Sequence, residues 1–198
     1  MALLTPVQRG LGKRMSRAAR SCALAVLFMS FSRGVVTAAE TPPSTEYQIK
    51  AVFLFNFAQF VDWPPSAFPD AQSPLVIGVL GRNPFEGALD EAVRGEKANG
   101  RPFLVQRFNR VEEIQACHIL FVSRSEAGRL PAILNALQGR SILTVRDTDG
   151  FAEEGGMIRF VMEQNKVRFR INLDAAKAAG LTLSSKLLRP ASVVTGNR

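Results

Sequence analysis

Leu75-Val-Ile-Gly-Val-Leu80 runs directly into Gly81-Arg-Asn-Pro-Phe85, and the fold is decided at that junction. Six apolar residues in a row suit a strand buried on both faces, because a strand with one wet face alternates instead. Gly81 ends the run, and Asn83 followed by Pro84 predicts a capped helix over 84–93. Downstream the pattern repeats: a strand at 103–108, a helical turn at 111–116, a strand at 119–123, a helix at 129–137 and a strand at 142–145. Strands interleaved with helices predict βαβ units and an α/β fold, a mainly parallel sheet flanked by helices.

After Asp147 the rhythm changes. Two strand-like runs, 157–162 and 167–171, are joined by Glu163-Gln-Asn-Lys166, which predicts an antiparallel hairpin near the C-terminus. Asn172 is placed to cap a helix through Ala179 that ends at Gly180, and Ser184-Ser185 to cap another through Leu188 before Pro190. Upstream, 46–62 reads as a helix with Phe53, Phe57 and Phe60 on one face and Ile49 a turn earlier, stopped by Trp63-Pro-Pro65. The single domain spans 46–192, with a linker at 40–45 and a tail at 193–198.

Residues 1–39 have the order of a secretory signal peptide. Arg9, Lys13, Arg14, Arg17 and Arg20 precede the apolar run Cys22-Ala-Leu-Ala-Val-Leu-Phe-Met-Ser-Phe31, and Val36-Thr-Ala-Ala39 supplies small residues for cleavage after Ala38 or Ala39. A start at Met15 gives the same mature chain. The run is half of the roughly 20 residues a membrane span needs, so no membrane insertion is expected after cleavage and the predicted location is the periplasm. The leader carries six basic residues and no acid, and subtracting six from the formal +8 leaves +2 for residues 40–198. The high pI therefore belongs to the leader, and no basic stripe remains to bind nucleic acid.

Of the two cysteines, Cys22 lies in the leader, so Cys117 has no partner for an internal disulfide. It opens the run Cys117-His-Ile-Leu-Phe-Val122, which reads as a buried strand. His118 is the sole histidine, which excludes a multi-histidine metal site and leaves one possible imidazole base. Adjacent strand residues point to opposite faces, so Cys117 and His118 do not form a dyad. Asp147-Thr-Asp-Gly150 with Glu153-Glu154 fits a calcium loop poorly, since its glycine is misplaced, and reads as a solvated turn in which Gly155-Gly156 supply positive φ. No catalytic residue, metal or cofactor is expected.

Two places have binding potential. Gly81, Arg82 and Asn83 follow the carboxyl end of a parallel strand, where α/β folds bind ligands, although the repeated glycines of a dinucleotide loop are missing. Phe55 and Trp63, with Leu183, Lys186 and Leu187 around the last helix, supply apolar area beyond what one helix face needs, so they are the expected partner-binding residues and a homodimer is expected.

Six segments occur in an order that resembles the YfiR family of periplasmic regulators. They are Lys50-Ala-Val-Phe-Leu-Phe-Asn-Phe-Ala-Gln-Phe-Val-Asp-Trp-Pro64, the stretch 77–85, Cys117 to Val122, Phe151-Ala-Glu-Glu-Gly-Gly-Met-Ile158, Phe169-Arg-Ile-Asn-Leu173 and Ala178-Ala-Gly-Leu-Thr-Leu-Ser-Ser-Lys-Leu-Leu188. The resemblance covers the mature chain. It implies a repressor without enzyme activity that binds the periplasmic sensor domain of an inner-membrane diguanylate cyclase, or another membrane sensor, and restrains cyclic di-GMP synthesis and biofilm formation. Some relatives carry cysteine pairs that this chain lacks, so disulfide control is not expected here. The alternative reading is a periplasmic small-molecule binding module feeding a sensor kinase or an outer-membrane receptor.

Overall fold

The computed structural model describes residues 44–194, so the expected signal peptide, the first residues of the linker and the end of the tail lie outside the described residues. The chain enters through α1 (Thr45–Phe60), whose first turn is closed by the Ser44 carbonyl accepting from the Tyr47 amide at 2.9 Å. Its buried stripe is Lys50, Ala51, Leu54, Phe57 and Ala58, continued by Val61. The expected face is thus rotated. Phe57 is buried, but Phe53 and Phe60 are half-buried and Ile49 is 43% exposed. The helix is apolar almost all round, so spacing within it could not choose which side meets the sheet. It ends at Phe60 rather than Asp62, because Val61–Asp62 turns into the short strand β1.

The central strand β2 (Leu75–Leu80) is buried at every position. After it come α2 (Ala88–Val93), β3 (Lys97–Ala98), β4 (Arg101–Phe108), β5 (Ile119–Val122), α3 (Leu130–Ala136) and β6 (Leu143–Arg146). The chain closes with β7 (Ile158–Glu163), β8 (Lys166–Asn172), α4 (Leu173–Ala178), β9 (Thr182–Leu183), α5 (Ser185–Leu188) and β10 (Ser192–Val194). The eight-stranded sheet has the order β10-β8-β7-β6-β5-β2-β4-β3, and β1 pairs with β9 as a separate antiparallel ribbon. From β4 through β7 all neighbours are parallel, and β7 and β8 form the antiparallel hairpin. The fold is a mixed α/β domain, as the alternation of apolar runs implied.

Strand alternation divides the core into two layers. Ile77, Val79, Phe121, Leu143 and Val145 pack with α1, while Leu80, Leu120, Val122 and Ile142 pack with α3 on the other face. The hairpin turn is Gln164-Asn165 with φ of 50° and 58°, a two-residue left-handed turn whose twist matches the strands. Asn172 accepts from the Ala175 amide at 2.9 Å and Ser184 from the Lys186 amide at 3.3 Å, so both expected caps form.

Three local expectations change. Helix α2 starts at Ala88 rather than Pro84, because the Asn83 carboxamide accepts from the Phe85 amide and donates to the Glu86 carbonyl. That side-chain turn bends the chain away from helix and drives Phe85 into the core against Tyr47 and Phe121. The turn expected at 111–116 is a shorter 3-10 segment, Val111–Glu113. Gly155 has the expected positive φ (101°), but Gly156 does not; a Cβ there would lie 2.3 Å from the Phe151 ring, so that glycine admits an aromatic ring against the backbone.

Candidate functional site

The order β4-β2-β5-β6-β7 is that of a doubly wound sheet whose chain reverses direction between β2 and β5, and the crevice outside the carboxyl ends of those strands is where such folds hold ligands. Gly81, Arg82 and Asn83 lie at that point. Gly81 has φ +85° and approaches the Ser125 and Glu126 side chains so closely that a Cβ would meet Ser125 Oγ at 2.4 Å. The Arg82 amide donates to Ser125 Oγ at 3.0 Å, and the Gly81 amide to the Phe108 carbonyl at 2.9 Å. The Gly81 and Arg82 amides are therefore engaged within the fold, and Glu126, 4% exposed, adds a carboxylate beside them.

Beside this crevice, the same carboxyl edge carries an ion-pair network that links α1 to the end of β6. Lys50 Nζ, on a residue 1% exposed, lies 2.6 Å from Asp147 Oδ2 and also binds Glu46 one turn earlier. Asp147 in turn accepts from Tyr47 Oη at 2.8 Å and from Arg124 Nε at 3.0 Å, and the ammonium sits 4.5 Å from the Tyr47 ring centre. Desolvation alone raises the Asp147 pKa, but hydrogen bonds from Lys50, Arg124 and Tyr47 outweigh it and hold the carboxyl below its ordinary range. Burial and the Asp147 carboxylate push the Tyr47 phenol well up. The solvated turn expected at 147–150 is thus corrected at its first residue: Asp147 is a buried ion-pair partner, whereas Asp149 is open to solvent.

Arg146, next to it, is 1% exposed; its Nε donates to Thr148 Oγ1, while Nη1 has no partner among the described residues. The network borders a groove of about 350 Å3 that also touches Arg159, Met162 and Arg170. Sequence reading missed Lys50 and Asp147. A signal was present: Lys50 lies at the spacing of Leu54, Phe57 and Val61 on the apolar stripe, where a charge needs a buried partner.

At the opposite, amino-terminal end of the sheet, His118 Nδ1 accepts from the Val76 amide at 2.9 Å, which leaves Nε2 to donate to the Ala67 carbonyl at 3.1 Å. The ring stacks on Phe68 at 4.3 Å. Burial lowers its pKa, so the imidazole is neutral with both nitrogens used, and neither is free to act as a base. Cys117 is buried, its thiol pushed up to about 12 by desolvation. No cluster of three or more His, Cys, Asp or Glu side chains able to hold a metal occurs among the described residues.

The five expected partner-binding residues are only partly brought together. The β1 and β9 pairing sets Val61 opposite Leu183 and gathers Trp63, Leu183 and Leu187 at the foot of α1. There Leu183 and Leu187 are buried in the core, and the Trp63 indole donates to the His118 carbonyl at 3.3 Å. Lys186 is exposed, and Phe55 packs on Phe103 with ring centres 5.4 Å apart. Among the described residues, no helix is long and apolar enough to cross a membrane.

No curated protein matches this chain. Among solved structures, the ABC domain in complex with L-Trp from Streptococcus pneumonia is similar with a TM-score of 0.50 at 15% identity. The match covers 75% of this chain and 60% of that one, so this chain spans less than two thirds of that structure, and the likeness is one of fold alone. A family model described as YfiR/HmsC-like matches residues 47–192, from the first turn of α1 to the start of β10. The chain belongs to the YfiR/HmsC-like family.

Proposed function

We propose that this protein is a periplasmic regulator of diguanylate cyclase signalling that acts by binding, not by catalysis. Membership of the YfiR/HmsC-like family over residues 47–192 carries the reading. The site chemistry agrees with it, since the sole imidazole is committed to two backbone groups and the buried thiol is held protonated.

A regulator without chemistry must favour one state of its target over another. Moving a sensor from 1:99 to 99:1 takes about 5.5 kcal/mol of differential affinity, which a few buried anchors at an interface supply. In this reading the chain binds the periplasmic sensor domain of an inner-membrane cyclase in its inactive conformation, and acts as a homodimer. Exposed Lys186 and half-buried Phe55 and Trp63 are the side chains offered to a partner. Deleting the gene while its cyclase is expressed raises cyclic di-GMP, and the purified chain co-elutes with the sensor domain. Unchanged cyclic di-GMP in the deletion strain rules the repressor out.

The strand order favours a second reading, a binding module that takes a small ligand at Gly81, Arg82 and Asn83 and reports it to a sensor kinase or an outer-membrane receptor. Ligand-dependent thermal stabilisation that is lost in Arg82→Ala, with cyclic di-GMP unaffected by deletion, distinguishes it from the first.

A further inference from the structure

The last residue of β6 buries a guanidinium where the fold gives it no carboxylate. Val145 and Ile158 are register partners in the layer that meets α1, so Arg146 and Arg159, partners one step on, both point to the opposite face. Arg146 is 1% exposed and makes no ion pair among the described residues; its Nε donates to Thr148 Oγ1, and its Nη1 is buried without a partner there. Arg159, whose side chain is 14% exposed, binds Asp149, but its Nε is likewise buried without a partner among the described residues. Two guanidinium groups on one rung of the sheet thus each keep an unsatisfied buried N–H, an expensive arrangement for neighbouring like charges.

The acids nearby do not supply the missing acceptor. Asp147 is held by Lys50, Arg124 and Tyr47, and Glu126 by Arg129 and Ser125. With the exposed Glu154 they favour the charged form of Arg146, yet burial outweighs them and lowers its pKa. Asp149 has a side chain 94% exposed, and an ion pair made by so solvated a carboxylate yields readily to a competitor. The donors themselves suit an oxyanion, since the planar fork of an arginine matches the oxygens of a carboxylate or phosphate. Thr148 Oγ1 accepts from Arg146, which leaves its hydroxyl hydrogen for a further acceptor.

We propose that Arg146, Thr148 and Arg159 form a binding site for a small oxyanion, the carboxylate or phosphate group of a small molecule. The Asp149 carboxylate keeps the place on Arg159 until the ligand displaces it. Once in place, the ligand takes the buried N–H groups of both arginines and the Thr148 hydroxyl, and neutralises the rung. The site does not require the chain to regulate a cyclase, and it is separate from Gly81, Arg82 and Asn83, so its test stands apart from both readings of the proposed function.

The test is thermal unfolding of the purified protein in rising inorganic phosphate, with acetate as the carboxylate arm and sodium chloride holding the ionic strength constant. Either oxyanion is expected to raise the melting temperature saturably, by about 4 °C at ten times its dissociation constant, and the stronger arm identifies the ligand group. Arg146→Met is expected to abolish the response and, by removing an uncompensated buried charge, to raise the melting temperature in chloride alone. Asp149→Asn removes the competing carboxylate and is expected to tighten phosphate binding about threefold. Arg82→Ala is expected to change nothing. Equal shifts in phosphate, acetate and chloride, a response that survives Arg146→Met, or phosphate affinity unmoved by Asp149→Asn overturns the proposal. So does a response lost in Arg82→Ala, which puts the anion in the other crevice. A protein indifferent to both oxyanions whose melting temperature falls in Glu154→Gln also overturns it, since Glu154 is then the counter-ion of Arg146.

Discussion

Lys50 and Asp147 are two charged residues in a place that ordinarily excludes charge, and each is there because of the other. With Lys50 1% exposed and hydrogen-bonded on both sides, removing it strands a carboxylate that keeps only Arg124 and Tyr47. Breaking one partner of a buried pair costs about 3–5 kcal/mol, and the two remaining bonds place Lys50→Met near the lower end, about 3 kcal/mol. Urea unfolding checks this as a lowered midpoint at unchanged slope.

His118 makes a second prediction at this level. The folded chain holds its imidazole neutral with a lowered pKa, whereas the unfolded chain takes up a proton below about pH 6.5. The unfolded state then binds more protons, so the full contribution is present above about pH 6.5 and is lost as pH falls toward the folded value. Denaturation midpoints measured from pH 8 down to pH 5 are expected to decline, and His118→Gln to flatten that decline. Asp147 adds a further loss lower down, since its depressed pKa keeps its contribution intact above about pH 4.

Among the elements, the β8 to α4 junction shows how one side chain joins two parts of the chain. Asn172, 3% exposed, caps α4 through its oxygen and donates through Nδ2 to the Ala152 carbonyl at 2.7 Å, tying the helix to the loop before β7. Asn172→Ala loses the cap and leaves a buried carbonyl unsatisfied, for a cost of about 2 kcal/mol by chemical denaturation. Ser184→Ala, at the exposed cap of a four-residue helix, is expected to cost about 0.5 kcal/mol in the same measurement.

For the molecule as a whole, the doubly wound sheet leaves two different ends. The carboxyl ends gather Gly81, Ser125, Glu126 and the Lys50 network, while the amino ends gather Trp63, Phe68 and His118 around a committed imidazole. No covalent cross-link joins the layers in residues 40–198, whose one cysteine is buried. Dithiothreitol is therefore expected to leave the melting temperature of residues 40–198 unchanged, and a drop on reduction would show a disulfide between copies.

The order of the main strands and helices, the parallel layer, the hairpin and the caps at Asn172 and Ser184 were legible in the chain, because each depends on neighbours a few residues away. An apolar run of six, an Asn before a helix and a two-residue turn carry their physics with them. What required the folded chain was contact between distant segments: which side of α1 is buried, the pairing of Val61 with Leu183, the burial of Leu183 and Leu187, and the meeting of Lys50 with Asp147 from 97 positions away. The Asn83 turn belongs with these, since a cap and a side-chain turn share the same local residues and the burial of Phe85 chose between them. Local propensity ranks conformations within a segment, but the desolvation of a charge or a ring depends on the segment packed against it, and the fold alone supplies that segment.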